Sequence, residues 1–207
     1  MRLSSGIAAA GEGWPDSQYS LGVMHKLGLG LPRDYAAASE WFQKAAESGH
    51  SKALHKLGQL YYHGLGVPED KAKALELIGL AACLADPDAQ YELALMYFAS
   101  GDPKDLPAAA GWLNKSAGLG CTEAQVELGL MYFDGFAVDQ DKSQALALFE
   151  KAAAKNNPEA LYLSGLMHSQ GEGTEPDPEK AVRRMRKAAG QNVKAAQEFL
   201  RCQITVI

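Results

Sequence analysis

Apolar residues recur three and four positions apart along most of the chain, which is the spacing of one helix face. In residues 51–84, one such series runs from Leu54 to Tyr61 and a second from Ala74 to Ala81. The stretch between them contains Gly64-Leu65-Gly66 and breaks both series. We predict a helix over 51–63 and another over 70–84, joined by a glycine-rich turn.

The same pattern returns every 35 or 36 residues, and a Leu-Gly pair or its equivalent marks each unit. These pairs are Leu21-Gly22, Leu57-Gly58, Leu93-Ala94, Leu128-Gly129 and Ser164-Gly165. Small residues at this point let two helices approach closely, so we expect Gly58→Leu to disrupt the packing by overfilling it.

Two further sets of equivalent positions, called columns below, recur in the repeats together with the Leu-Gly pairs. An aspartate falls where each second helix should begin, where it can accept hydrogen bonds from the first turn and contribute about 1 kcal/mol. A bulky column, which Arg184 interrupts in the last unit, is expected to fill the space beside the small residues. The aspartates are Asp34, Asp70, Asp105, Asp141 and Asp177, and the bulky residues are Trp41, Leu77, Trp112 and Leu148.

Stacked helix pairs bury apolar faces that a single pair leaves exposed, so the repeats predict an all-α solenoid. We expect one solenoid domain over 1–207, with repeats at about 15–50, 51–86, 87–120, 121–156 and 157–192. Residues 1–14 have the pattern of the end of a preceding second helix. Residues 193–207 have that of a C-terminal capping helix.

The pattern A-x-x-x-L-G-x-x-Y-x-x-G-x-G-V-x-x-D-x-x-K-A resembles the Sel-like repeat (SLR) family, a relative of tetratricopeptide repeats. It is most complete in "ALHKLGQLYYHGLGVPEDKAKALELIGLAA", and the resemblance covers about residues 14–192. It implies a right-handed α/α superhelix of helix-turn-helix repeats that serves as an adaptor without catalysis of its own. The third unit departs from the pattern at Ala94 and in its shorter loop, "ASGDPKD", and the fifth at Ser164 and Arg184.

In tetratricopeptide-like solenoids the first helix of each repeat lines the concave groove. Three columns of these helices should face outward: two residues before the Leu of the Leu-Gly pair, two residues after it and five residues after it. They are rich in aromatic and aliphatic residues. We predict a protein, peptide or partner-helix site there, although inter-repeat packing could bury the same columns. The candidate residues are Tyr19, Val23, His55, Gln59, Tyr62, Tyr91, Leu95, Phe98, Val126, Leu130, Phe133, Tyr162 and Leu166.

Charge and composition narrow the class of partner. The chain has 207 residues and a net charge of −5, which disfavours nucleic acid. The basic run at Arg183, Arg184, Arg186 and Lys187 is more typical of a solvated helix face. No apolar run reaches the length of a membrane span. A homo-oligomer formed through end or groove surfaces is a further option.

The three cysteines and the N-terminus bear on localisation. The cysteine count is odd and without a C-x-x-C pair, which favours a reducing compartment and hence the cytoplasm. The N-terminus is a poor match to a secretory signal. A periplasmic location stays open.

No catalytic, metal or cofactor site is expected. The five histidines lack metal-ligand spacing, and no nucleophile or Walker motif occurs. Gly64-Leu65-Gly66 is half of a dinucleotide loop, but it follows a helix and has copies in other repeats, so we interpret it as an elbow. The alternative function is an enzyme or small-ligand-binding protein with a site across the groove, which a deep pocket with converging ionisable groups would favour.

Overall fold

The computed structural model describes residues 9–204, within which α-helices dominate and no strand occurs. Four of the five repeats contribute two uninterrupted helices joined by a turn. The third adds a short 3₁₀ turn at Pro103–Asp105 before its second helix. The helices are α1 Pro15–Leu27, α2 Tyr35–Glu47, α3 Ser51–His63, α4 Lys71–Cys83, α5 Pro87–Ala99, α6 Leu106–Gly118, α7 Thr122–Asp134, α8 Lys142–Ala154, α9 Pro158–Gln170, α10 Pro178–Gly190 and α11 Lys194–Ile204.

The helices group into two compact units, Met1–Ala99 and Ser100–Ile207. Within each unit, helices that follow one another along the chain pack together, as expected for stacked repeats. The third repeat is shared, because α5 belongs to the N-terminal unit and α6 to the C-terminal unit. The boundary falls in "ASGDPKD", the loop that departs from the repeat pattern.

The helix bounds predicted for the second repeat, 51–63 and 70–84, are confirmed to within one residue. Helix α3 spans Ser51–His63, and α4 spans Lys71–Cys83 with Asp70 as its N-cap. The Asp70 carboxylate accepts a hydrogen bond from the Lys73 backbone N–H at 2.9 Å. Equivalent caps begin the second helices of the first, fourth and fifth repeats, at Asp34, Asp141 and Asp177.

The predicted cap at Asp105 is wrong. Its backbone is helical (φ −84°, ψ −16°) because the chain enters α6 from a 3₁₀ turn, and its side chain does not cap the helix. The Asp105 carboxylate instead accepts a hydrogen bond from the Ser100 hydroxyl at 2.6 Å. The shorter third loop therefore changes how the second helix starts.

The close approach of paired helices occurs at the repeated glycines, as predicted. A Cβ added to Gly58 would lie 2.7 Å from Ile78 Cγ1, and one added to Gly129 would lie 2.6 Å from the Phe149 ring. The side chains that fill this space come one residue after the predicted bulky column. Trp41, for example, is only half-buried, with the Lys44 ammonium 4.2 Å from its ring centroid. The prediction for the bulky column is therefore wrong by one position.

Gly64-Leu65-Gly66 is an elbow that also joins two repeats. Gly64 ends α3 in the left-handed conformation (φ 64°), which glycine adopts without steric cost. Gly66 lies so close to the backbone of Tyr35 and Ala36 that a Cβ would overlap it. The second glycine therefore lets the turn pack directly against the start of α2 in the preceding repeat.

A column of buried glutamines ties first helices to the preceding second helix. Gln90 and Gln125 each donate a side-chain N–H to the carbonyl eight residues earlier, at Ala82 and Ala117, both at 3.0 Å. Gln197 repeats the bond to Ala189 at 3.2 Å. Each of these carbonyls also accepts a backbone N–H from the turn three residues later, so the glutamine adds a second bond at the helix end.

The predicted terminal elements fall partly outside the described residues. Residues 9–11 are helical, and Gln18 donates to the Ala10 carbonyl at 3.4 Å, but residues 1–8 of the predicted helix remnant lie outside. Helix α11 occupies most of the predicted capping segment, and residues 205–207 lie outside.

Candidate partner-binding surface

The first-helix face of the N-terminal unit consists of the predicted residues on α1, α3 and α5. His55 is buried, Leu95 is 39% exposed, and the others are half-buried. Tyr19 and Val23 pack one side against the core formed around Phe42 and Leu57. Most residues of this face are therefore partly buried and keep part of their surface exposed. It comprises Tyr19, Val23, His55, Gln59, Tyr62, Tyr91, Leu95 and Phe98.

A hydrogen-bonded polar cluster lies at the centre of this face. The Glu92 carboxylate on α5 lies 2.6 Å from His55 Nε2 and accepts a bond from the Gln59 amide at 2.7 Å. His55 Nδ1 lies 3.9 Å from the buried Asp86 carboxylate. Burial alone would raise the pKa of Glu92, but the bonds from His55 and Gln59 hold this pKa below its usual value. Glu92 therefore stays ionised and links α3 to α5.

Two lysines extend the cluster toward α1. Lys56 donates to the Gln59 side-chain oxygen at 3.3 Å. Burial and the neighbouring Lys56 charge lower the pKa of Lys26, and Glu92 partly offsets them. Charges from three successive first helices therefore interact within one face.

Aromatic side chains flank the polar cluster. Tyr19 stacks on His50 with ring centroids 4.8 Å apart, and burial and the Asp86 charge raise the pKa of its hydroxyl. The Tyr62 ring meets His63 edge-on, with centroids 5.0 Å apart. Tyr19 and Tyr62 are both half-buried, so each side chain keeps part of its surface exposed.

The first-helix face of the C-terminal unit is more apolar. Val126 is buried, while four half-buried residues pack against the core around Phe149 and Leu161. The Lys142 ammonium lies 5.1 Å from the Phe133 ring centroid and 2.6 Å from a Glu172 carboxylate oxygen. This face offers aliphatic and aromatic contacts with a charged rim. The four half-buried residues are Leu130, Phe133, Tyr162 and Leu166.

Two members of the polar cluster, the cation Lys56 and the carboxylate Glu92, are not among the residues predicted from the sequence. They occupy the column directly before the Leu-Gly anchor, next to the predicted columns. Opposite charges one repeat apart in that column were the available signal. Among residues 9–204 no group of three or more His, Cys, Asp and Glu side chains could hold a metal ion.

A family model decides the classification. The Sel1 repeat model matches residues 15–50, 51–86, 87–121, 122–157 and 158–193. The chain belongs to the Sel1 repeat family. These matches lie within one residue of the repeats inferred from the sequence, and Sel1 repeat proteins are generally protein-interaction scaffolds.

Solved structures show the same fold. A protective antigen of uropathogenic Escherichia coli with an SLR fold is 29% identical, with a TM-score of 0.85 over 94% of this chain and 42% of that one. A Sel1 repeat protein from Oxalobacter formigenes is 26% identical, with a TM-score of 0.76 over 86% and 74%. The immunity protein Pa5087 from Pseudomonas aeruginosa is 26% identical, with a TM-score of 0.56 over 88% and 67%.

The chain spans less than half the length of the E. coli antigen. No curated protein matches this chain. In the described part of the chain, no helix combines the length and apolarity that crossing a membrane requires.

Proposed function

We propose that this Sel1 repeat chain is a non-enzymatic scaffold that binds a peptide or a partner helix on its first-helix faces. The residues that support this proposal lie on the first-helix face of the N-terminal unit. The partner would be a protein and not a nucleic acid, because the chain is acidic overall.

The supporting observation is the arrangement around Leu95. Its side chain is 39% exposed although it lies in the middle of α5. Tyr91 and Phe98, four residues before it and three after, lie on the same side of the helix and are half-buried. Tyrosine is among the residues enriched in binding hot spots, and an exposed leucine beside it adds apolar contact area. The ionised Glu92 would orient the bound segment.

The enzyme alternative has less support. The strongest acid–base pair on the described face is His55 with Glu92, and Gln59 hydrogen-bonds to the same carboxylate oxygen. His55 Nε2 and Glu92 Oε2 are therefore engaged with each other and with Gln59. General acid–base chemistry needs a group within hydrogen-bond reach of the substrate proton. A positioning role for this pair fits the geometry better.

A peptide selection on the purified chain tests the proposal. Peptides selected from a displayed library would be synthesised with a fluorophore, and their affinity measured by fluorescence polarisation. The double variant Tyr62→Ala/Tyr91→Ala should weaken binding about tenfold or more, because truncating an aromatic anchor costs upward of about 1–2 kcal/mol. Leu95→Lys, at an exposed position where folding is little affected, should do the same.

The matched control removes two exposed leucines from the second helix of the same unit. Leu75 and Leu80 are 43% and 49% exposed on α4. Leu75→Ala/Leu80→Ala should leave the affinity within about twofold, since these residues lie outside the first-helix face. Equal losses in the control and test variants would contradict the proposal, as would unchanged binding in Leu95→Lys.

A further inference from the structure

Helix α10 differs from the other second helices in its charge. It carries five basic residues and one acidic residue, in a chain with a net charge of −5. Arg184 stands where the other repeats have Trp41, Leu77, Trp112 and Leu148. Arg183 stands where they have Glu40, Glu76, Gly111 and Ala147. The fifth repeat has thus replaced apolar and acidic side chains by guanidinium groups.

Four of these side chains share one side of the helix. Lys180, Arg183, Arg184 and Lys187 follow the i, i+3, i+4, i+7 spacing, and they line a depression of about 290 Å³. Arg186 lies on the adjacent side and does not line it. We call the four lining residues the basic stripe.

One carboxylate of the C-terminal unit partly neutralises the stripe. The Glu150 carboxylate on α8 lies 2.5 Å from Lys180 Nζ, 4.0 Å from Arg184 Nη2 and 3.0 Å from His168 Nε2. The pKa of Glu150, which burial would raise, is lowered by the bonds from Lys180 and His168. Glu150 thus holds the Lys180 end of the stripe in place.

In the described part of the chain, the other half of the stripe forms no ion pair. Among the described residues, no carboxylate oxygen lies within 4.0 Å of a side-chain nitrogen of Arg183 or Lys187. Both side chains are exposed. Positive potential in a concave surface attracts anionic groups and speeds their association.

We propose that the basic stripe of α10 is a docking site for an acidic segment of a partner protein, separate from the first-helix faces. The stripe runs about 10 Å along the helix, at 1.5 Å per residue. An extended segment of three or four residues covers the same length, with alternate side chains on one side. Two carboxylates of such a segment can therefore meet Arg183 and Lys187 together. A single phosphate would leave most of the depression empty.

An NMR titration of the ¹⁵N-labelled full chain tests this proposal. The probe is an eight-residue peptide alternating glutamate and serine, at low salt, with a lysine–serine peptide as the charge control. We expect amide shifts concentrated in residues 180–187, and dissociation constants that rise with salt. Arg183→Ser/Lys187→Ser should weaken binding about tenfold, through loss of two charge-assisted contacts. Both residues are exposed, so the fold should be retained.

The matched control removes one arginine and one lysine from outside the stripe. Lys151→Ser/Arg186→Ser gives the same net charge and should change the dissociation constant by less than about twofold. Equal weakening in both double variants would overturn the proposal, because net charge alone would then explain binding. Shifts centred outside residues 180–187 would also overturn it. So would tighter binding of a single-stranded DNA octamer at the stripe, which would identify a nucleic-acid surface instead.

Discussion

Glu92 and Glu127 occupy the same position in consecutive repeats, one residue before the anchor leucine, but their carboxylates meet different neighbours. Hydrogen bonds from His55 and Gln59 lower the pKa of Glu92 despite its burial. Burial and the nearby Glu159 charge raise the pKa of Glu127. Residues at equivalent positions of the repeat therefore have pKa values that are shifted in opposite directions.

The two pKa shifts predict opposite effects of glutamine substitution. A lowered pKa means that ionised Glu92 stabilises the fold above its unfolded pKa near 4.5, and that this stability is lost as the pH falls through the lower folded value. The raised pKa of Glu127 means that its charged form opposes folding at neutral pH. At pH 7, Glu92→Gln should lower the melting temperature and Glu127→Gln should raise it.

Thermal unfolding followed by circular dichroism at pH 7 and pH 4 measures both effects. The difference between Glu127→Gln and the wild type should shrink at pH 4, because the wild-type Glu127 is then increasingly protonated. Glu92→Gln should lose less stability than the wild type between the two pH values. Glu40→Gln, at an exposed position of α2, serves as the control. Shifts of the same sign for Glu92→Gln and Glu127→Gln would contradict the assignment of neighbours.

At the scale of helices, the repeat provides glycines in two different environments. Gly58 on α3 faces Ile78, and an added Cβ would lie 2.7 Å from its Cγ1. Gly79 on α4 has nothing within 4 Å of the equivalent position. The same substitution in one helix pair therefore separates the packing cost from helix propensity.

We predict opposite changes in stability for Gly58→Ala and Gly79→Ala. Alanine at position 79 should raise the free energy of unfolding by up to about 1 kcal/mol, because glycine is a poor helix former. Alanine at position 58 should lower this free energy by about 1–3 kcal/mol, because overpacking exceeds the gain in propensity. Urea unfolding gives both values. A stabilised Gly58→Ala variant would show that α3 and α4 can separate without cost.

The helices themselves were predictable because their signals are local. The bounds of α3 follow from the spacing of its apolar residues, and the start of α4 from Asp70. The cap at Asp105 could not be predicted in this way, since the shorter loop preceding it changes the backbone that a cap requires. A motif column predicts a cap only where the loop length is kept.

Side-chain contacts between repeats could not be predicted from the sequence. His55 and Glu92 meet across 37 residues, and the Gln125 amide reaches a carbonyl on another helix. Such contacts depend on the rotation between neighbouring helix pairs, which apolar spacing leaves undetermined. Whether the predicted first-helix residues bind a partner stays a prediction that the peptide experiment tests.

At the scale of the whole molecule, the three cysteines are distributed over both units and differ in their exposure. Cys83 in the N-terminal unit and Cys202 in the C-terminal unit are exposed, whereas Cys121 is half-buried before α7. Burial raises the pKa of the Cys121 thiol, and this thiol donates to a Glu123 carboxylate oxygen at 3.5 Å. Since the thiolate is the reactive form, Cys121 should react more slowly than the other two.

The native protein should therefore react with Ellman's reagent in two phases at pH 8. Cys83 and Cys202 should account for a fast phase of two thiols, and Cys121 for a slow phase of one, because its thiolate fraction and its access are both reduced. Cys121→Ser should abolish the slow phase alone, and in concentrated urea all three thiols should react at similar rates. If Cys83→Ser or Cys202→Ser removed the slow phase instead, the packing around the start of α7 would have to differ from that described, and Cys121 would be open to reagents.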